Sequence, residues 1–215
     1  MRRALRSLST VLIVVGALLL ADAVATLMWQ EPLSALYGRV QQGKLDDRLS
    51  AIEKAPLAAV DQRAPRTPAG ARRSDDGDPL GRIRIARIGV DEIFVQGTGT
   101  ADLRRGPGHY PDTPLPGQRG TVAIAGHRTT YGAPFHDVDD LRRGDAIVLS
   151  MPYGRFTYRV QRTRIVEPTA TEVTDPVGYD RLVLSACHPL YSAAQRIIVF
   201  ARLEKSEARG PAASG

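Results

Sequence analysis

The chain holds one cysteine, Cys187. It closes an apolar run, Arg-Leu-Val-Leu-Ser-Ala-Cys-His-Pro, at 181–189. His127 closes another, Thr-Val-Ala-Ile-Ala-Gly-His-Arg, at 121–128, and Arg196 opens a third, Gln-Arg-Ile-Ile-Val-Phe, at 195–200. Taken singly, each has an ordinary reading. A lone cysteine packs as a small hydrophobe, a histidine beside a glycine caps a turn, and an arginine at a strand start is solvated. Together they can do acyl transfer. A thiolate is the nucleophile and needs help at neutral pH. A free cysteine and a free histidine would form only on the order of 1% of the charged thiolate–imidazolium pair at pH 7. The imidazole can then protonate a leaving amine and deprotonate an incoming one. The permanently charged guanidinium can hold an oxyanion and a peptide.

Such a trio must be carried by rigid elements, and the pattern from Gly81 onward supplies them. Ile83 and Ile85 alternate with Arg82, Arg84 and Ala86 at the strand period of two. Further strands are expected at 93–95, 121–126, 145–150, 155–162, 163–166, 181–186 and 196–203, separated by turn chemistry such as Arg143-Gly144-Asp145 and Pro152-Tyr153-Gly154. Only short helices fit, near 101–104 and 136–141. Many short strands at this spacing predict a mostly antiparallel barrel or sandwich, with each of the three residues at a strand end.

Ahead of this domain lie two other regions. Arg2, Arg3 and Arg6 precede an apolar run from Leu8 to Trp29. About 20 such residues suffice to span a bilayer, and the arginines before it place the N-terminus in the cytoplasm and the rest outside. Ala21-Asp22-Ala23 and Ala23-Val24-Ala25 also resemble signal-peptidase sites, so a cleaved leader is the alternative. Both readings put the domain outside the cytoplasm. Leu45, Leu49 and Ile52 predict a helix over 37–59. The stretch 56–79 is rich in Pro, Gly and charge, and reads as a flexible linker holding the domain away from the membrane. The expected organisation is an anchor at 1–30, a juxtamembrane helix and linker at 31–80, a catalytic domain at 81–204 and a disordered tail at 205–215.

The net charge of +6 suits an anionic envelope or lipid surface. The arginines are scattered or in lone pairs such as Arg72-Arg73, which builds no nucleic-acid-reading helix, so no nucleic-acid partner is expected. His127, Cys187, His188 and an acidic residue lack C-x-x-C or H-x-x-x-H spacing. Asp137, Asp139 and Asp140 are the nearest approach to an acidic cation loop. No metal and no cofactor is expected. A papain-like protease is disfavoured because there the cysteine precedes the histidine, whereas here His127 comes first.

Three segments carry a resemblance to a known family: Gly106-Pro-Gly-His-Tyr-Pro, Val122-Ala-Ile-Ala-Gly-His-Arg-Thr-Thr-Tyr-Gly-Ala-Pro-Phe and Leu184-Ser-Ala-Cys-His-Pro-Leu-Tyr-Ser-Ala-Ala-Gln-Arg. They resemble the sortases, most closely the class E type of high-GC Gram-positive envelopes, over roughly Gly81 to Leu203. The resemblance implies an eight-stranded sortase-type β-barrel with short helices, mostly β, behind an N-terminal transmembrane helix. It implies a catalytic trio of His127, Cys187 and Arg196. The implied reaction cleaves an LPXTG-like or LAXTG-like sorting signal of a secreted protein between Thr and Gly, and passes the acyl-thioester to a peptidoglycan precursor amine. His109 and Tyr110 in the Gly-Pro loop, Tyr131 four residues after His127, and Ala186 and His188 flanking Cys187 are the expected substrate-side residues. On a continuing strand, though, His188 would point away from Cys187. The family strand before the nucleophile reads Thr-Leu-x-Thr-Cys, whereas this chain has Val183-Leu184-Ser185-Ala186-Cys187, without either threonine. Hydrolysis of the same thioester, polymerisation of pilins, or envelope binding without catalysis are the alternatives.

Overall fold

The computed structural model describes residues 2–28, 32–54 and 74–208. Helix α1 runs Arg2–Met28 and α2 runs Pro32–Lys54. Eight strands follow: β1 (Pro79–Ile85), β2 (Val90–Gln96), β3 (Gly108–His109), β4 (Thr121–Ala125), β5 (Ala146–Met151), β6 (Gly154–Val166), β7 (Arg181–His188) and β8 (Gln195–Ala208). A one-turn helix, α3 (Thr100–Leu103), joins β2 to β3. The strands close into a barrel in the order β1-β2-β3-β4-β7-β8-β6-β5, so no sheet edge is left open.

Period-two alternation explains which side chains fill the barrel. Leu182, Leu184 and Ala186 of β7, Ile197, Val199 and Ala201 of β8, and Val122 and Ile124 of β4 join Phe94, Phe135, Phe156 and Tyr158 in one interior cluster. Fully burying each large apolar side chain contributes about 1.5–3 kcal/mol. The alternate residues of the same three strands, Ala123, Val183, Ile198 and Phe200, form a second cluster on the outer face. There Val166 at the end of β6 and Val173 of the β6–β7 connection cover them.

Several expectations change in contact with the structure. The strands at 155–162 and 163–166 are one strand, β6, with a bulge between Val160 and Arg162 in its pairing with β8. A bulge resets the alternation phase and looks in sequence like a break. β8 runs to Ala208, four residues past the expected domain edge, because Gly154 at the start of β6 pairs with Ala208. Two neighbouring pairs, β2–β3 and β4–β7, are parallel. β3 has two residues, too few for any periodicity to announce it. The expected linker at 56–79 falls mostly on 55–73 and the tail mostly on 209–215, both outside the described residues.

The helix expected at 37–59 is α2, which begins five residues earlier. It is docked on the barrel. Leu45 and Leu49 pack on Ile93 and Val95 of β2, while Ile52 stays exposed. Gln42 acts as an extra edge for β2. Its Oε1 accepts from Ile93 N (2.7 Å) and its Nε2 donates to Ile93 O (2.9 Å) and Arg105 O (2.8 Å). Ion pairs Arg82–Asp46 and Arg48–Asp78 flank it. The linker therefore does not separate α2 from the domain, as the sequence suggested it would.

Candidate active site

Strand register brings the three residues of the trio level with one another. In the parallel β4–β7 pair, Ala125 lies opposite Ser185. Two residues onward on each chain are His127 and Cys187, and Gly126 N donates to Ser185 O (3.0 Å) to carry the alignment past the end of β4. In the antiparallel β7–β8 pair, Cys187 lies opposite Arg196. Neighbouring strands stand about 4.8 Å apart, so His127, Cys187 and Arg196 occupy three adjacent positions in one row. Alternation puts Cys187 with Val183 and Ser185 on the outer face, away from the core residues Leu184 and Ala186.

Gly126 places His127. A Cβ there would meet the ring of Phe135 at 2.5 Å, and Phe135 is fully buried. Phe135 N in turn donates to His127 O (3.0 Å). The imidazole is half-buried. Its ring centroid is 5.3 Å from that of Tyr131, and its Nε2 is buried without a hydrogen-bond partner. Burial pushes its pKa below the ordinary histidine value of 6.5, and the Arg104 guanidinium adds to the shift. Arg104 lies 5.5 Å from the centre of the Tyr131 ring. The resting imidazole is thus a neutral group with an unused nitrogen, which is unusual for a buried polar atom.

Arg196 is half-buried, and its Nη1 donates to the carbonyls of Ala193 (3.0 Å) in the β7–β8 connection and Gln195 (2.9 Å) at the start of β8. It lines a cavity of about 330 Å³ with Tyr110, Val173, Val183, Ser185 and Ile198. The floor is the outer apolar cluster and the roof is the β6–β7 connection. Two of the cavity's lining residues adjoin Cys187, Ser185 two positions back on β7 and Arg196 directly across on β8, while Cys187 itself lies outside the lining.

The expected substrate-side residues separate. Tyr110 lines the cavity. His109 does not: it is 1% exposed, with Nδ1 3.1 Å from Gln96 Oε1 and Nε2 3.0 Å from Pro114 O and 3.1 Å from Thr113 Oγ1. Burial pushes its pKa down. It ties the Gly-Pro loop to β2. Ala186 is also corrected, since its side chain lies in the barrel core. Tyr131 sits against His127 and α2 rather than in the cavity. Its N–H donates to Ser34 Oγ (3.2 Å), and its ring meets Tyr37 edge-on at 6.0 Å. Tyr131 and Ala133 both have left-handed backbone, φ 53° and 43°, which non-glycine residues adopt only when their surroundings hold them there. His136 does not start a helix, since the 3-10 turn begins at Val138. Its Nδ1 donates to Arg128 O (2.6 Å).

One residue escaped the sequence reading. Arg128 follows His127 directly, and its side chain is 1% exposed. Nη2 pairs with Asp139 Oδ1 (2.6 Å) and donates to His136 O (3.0 Å), and Nε donates to the same carbonyl (3.1 Å). Nη1 reaches Cys187 O (3.5 Å) and His188 Nδ1 (3.4 Å). Because a guanidinium only donates, His188 Nδ1 is the acceptor in that contact. A buried cation thus joins the segment after His127 to the end of β7. The sequence signal was present in Ala-Gly-His-Arg but was absorbed into the general arginine count. Among the described residues, no three metal-ligating side chains gather.

A sortase-domain family model matches residues 83–204. Sortase D of Bacillus subtilis (strain 168) is 30% identical over 167 residues, covering 70% of this chain and 81% of that protein. The solved structure of sortase E from Streptomyces avermitilis superposes with a TM-score of 0.57 at 38% identity, covering 62% of this chain and 93% of that one. Sortase E1 from Streptomyces coelicolor, solved with a tripeptide in the active site, gives a TM-score of 0.59 at 26% identity over 65% of this chain and 98% of that one.

Proposed function

This chain belongs to the sortase family, and from that premise we propose that it cleaves a sorting signal of the LPXTG or LAXTG kind between Thr and Gly and transfers the new acyl end to a cell-wall amine. The observation that carries the reading is the level row of His127, Cys187 and Arg196 at the ends of β4, β7 and β8, with a cavity of mixed polar and apolar lining beside Arg196. Cys187 Sγ attacks the threonine carbonyl carbon while its proton passes to the neutral His127 imidazole. Arg196 donates to the oxygen as it gains negative charge. The C–N bond to glycine then breaks, and the leaving amine takes the proton from His127. An incoming amine attacks the thioester and gives a proton to His127. The C–S bond breaks, and that proton returns to the sulfur.

The cavity supports the substrate class. Val183 and Ile198 offer an apolar floor for the signal's first residues, with Val173 in the roof and Tyr110 at the side. The two missing family threonines differ in consequence. Position 183 faces the cavity, so Val183 bears on substrate preference. Position 186 faces the core, so Ala186 bears on packing. Arg128 acts as a positioning residue, holding the segment after His127 against the main chain of Cys187. The Arg6–Val24 span of α1, long and apolar enough to cross a membrane, supports an anchored domain outside the cytoplasm.

The test is to mix the protein with LPXTG and LAXTG peptides and an amine acceptor and to weigh the products. Transfer product with wild type, and none with Cys187→Ala, supports the proposal. Cleavage retained in Cys187→Ala would falsify it. Release of free threonine acid alone, with amine in excess, makes the chain a hydrolase instead.

A further inference from the structure

Helix α2 has two unlike faces. Gly38, Gln42, Leu45 and Leu49 meet the barrel or its loops. The opposite face of the first half carries Leu33, Leu36, Tyr37 and Val40, which are 78%, 58%, 44% and 50% exposed, with Tyr37 at its margin, where one edge also meets Tyr131. Their i, i+3, i+4, i+7 spacing sets them in one stripe along the helix. Farther along, that face becomes charged, with Lys44, Asp47 and Lys54 all exposed. The apolar stripe is thus confined to about 12 Å of helix.

The end of α2 that bears the stripe is the end next to α1. Three residues separate Met28 from Pro32. An extended chain covers at most about 3.6 Å per residue, so α2 starts within about 15 Å of the end of α1. The side chains of the Arg6–Val24 span are likewise uncovered by the rest of the protein. Arg39 and Lys44, both exposed beside the stripe, suit anionic headgroups. Four side chains present roughly a few hundred Å² of surface, well under the ~1,000 Å² that a stable protein interface needs.

We propose that the stripe of Leu33, Leu36, Tyr37 and Val40 seats α2 in the headgroup–acyl boundary of the bilayer that α1 crosses, so that the barrel stands on the membrane through α2 instead of swinging on a tether. The proposal rests on the reading that α1 spans a membrane. It also puts the seat next to the catalytic loop. Ser34 accepts from Tyr131 N–H, Gly38 abuts the Tyr131 carbonyl so closely that a Cβ would come to 2.8 Å, and Tyr131 faces His127. The active site is thereby held at a constant height above the lipid surface.

The test uses the full chain with Cys187→Ala, reconstituted in phosphatidylglycerol–phosphatidylcholine vesicles and carrying one nitroxide on either Leu36→Cys or Lys54→Cys. The Leu36 label should collide severalfold more with oxygen than with a water-soluble nickel chelate, and the Lys54 label should show the reverse. Nickel access at Leu36 equal to that at Lys54, in protein that resists carbonate extraction, overturns the seat and leaves the anchor standing. Spin–spin broadening at Leu36 reassigns the stripe to a second copy of the chain and overturns it as well. Release of the protein by carbonate shows that the spanning premise has failed, and the seat fails with it. The triple variant Leu33→Ser, Leu36→Ser, Val40→Ser should keep its melting temperature in detergent, while in vesicles a nitroxide on Tyr37→Cys should gain nickel access over the same label without the triple substitution.

Discussion

On the Arg196 side of Cys187, the sheet is floored by Val183 and Ile198 and roofed by a connection that leaves a cavity. On the His127 side, space is filled. Phe135 packs on Gly126, Arg128 spends its donors on four groups, and Tyr131 is wedged between His127 and α2. The same three strands thus present a hollow and a brace on either side of one sulfur. On the proposed reading a nucleophile needs both: the hollow would admit a peptide, and the brace would hold a proton carrier in place, because rate falls steeply when reacting groups are misplaced by an ångström.

The largest effects should come from the row itself. His127→Gln should lower kcat/KM by about 10²–10⁴, and Arg196→Lys by about 10²–10³ as the oxyanion donor is lost. In both variants Cys187 should remain alkylatable, as intact-mass analysis would show. A peptide assay in which Arg196→Lys keeps wild-type kcat would move the oxyanion site off this side.

Next comes the brace. Arg128→Met leaves the carbonyls of His136 and Cys187 without a donor and should cost about 1–3 kcal/mol of stability. It should lower kcat more than it raises KM, since it acts by placing other groups. Arg128→Lys should rescue poorly, because a point charge cannot reproduce the planar fork. Equal loss in kcat and in thermal stability, with full rescue by lysine, would reduce Arg128 to packing. On the cavity side, Val173→Asp should do the opposite, raising KM about tenfold with kcat nearly kept. Val183→Thr should alter the choice between LPXTG and LAXTG peptides without touching stability.

The smallest effects concern pH. His109 and His127 both have pKa values lowered by burial, so the fold favours their neutral forms. Their contribution to stability is complete above 6.5 and is lost as pH falls below it, and the melting temperature should drop there. Glu92 has the opposite sign. Burial, aided by Asp91, raises its pKa to about 7, so its contribution is complete below 4.5 and is lost as pH rises to about 7. Glu92→Gln should stabilise the protein by about 1–3 kcal/mol at pH 8 and not at pH 4. A pH-independent gain would place its cause outside titration.

The strands beneath the hollow were legible in the sequence. The apolar runs at 181–186 and 196–201 mark strands buried on both faces, and a continuous run does not say which residues turn inward. Cys187, His127 and Arg196 were readable as strand-end residues because they close or open such runs, and Tyr110 because it lies in a family segment. The brace was not legible. Arg128 meets Cys187 from 59 positions away, and Tyr131 meets Ser34 from 97. No periodicity reports such pairs. His109 and Ala186 were misread as substrate-side residues because proximity in a motif does not say which way a side chain faces. The bulge in β6 hid a long strand by breaking the phase on which strand recognition depends.

By itself the sequence determined the chemistry available to this protein and where its main strands run. Both are local properties of residue type and of spacing over two to four positions. Only the tertiary structure decided that three strand ends are level, that the cavity lies beside Arg196, that a buried arginine ties His127's segment to Cys187, and that α2 is part of the barrel and not of a tether. Those outcomes depend on strand register and on contacts between distant segments, which are set only when the closed barrel brings the segments together.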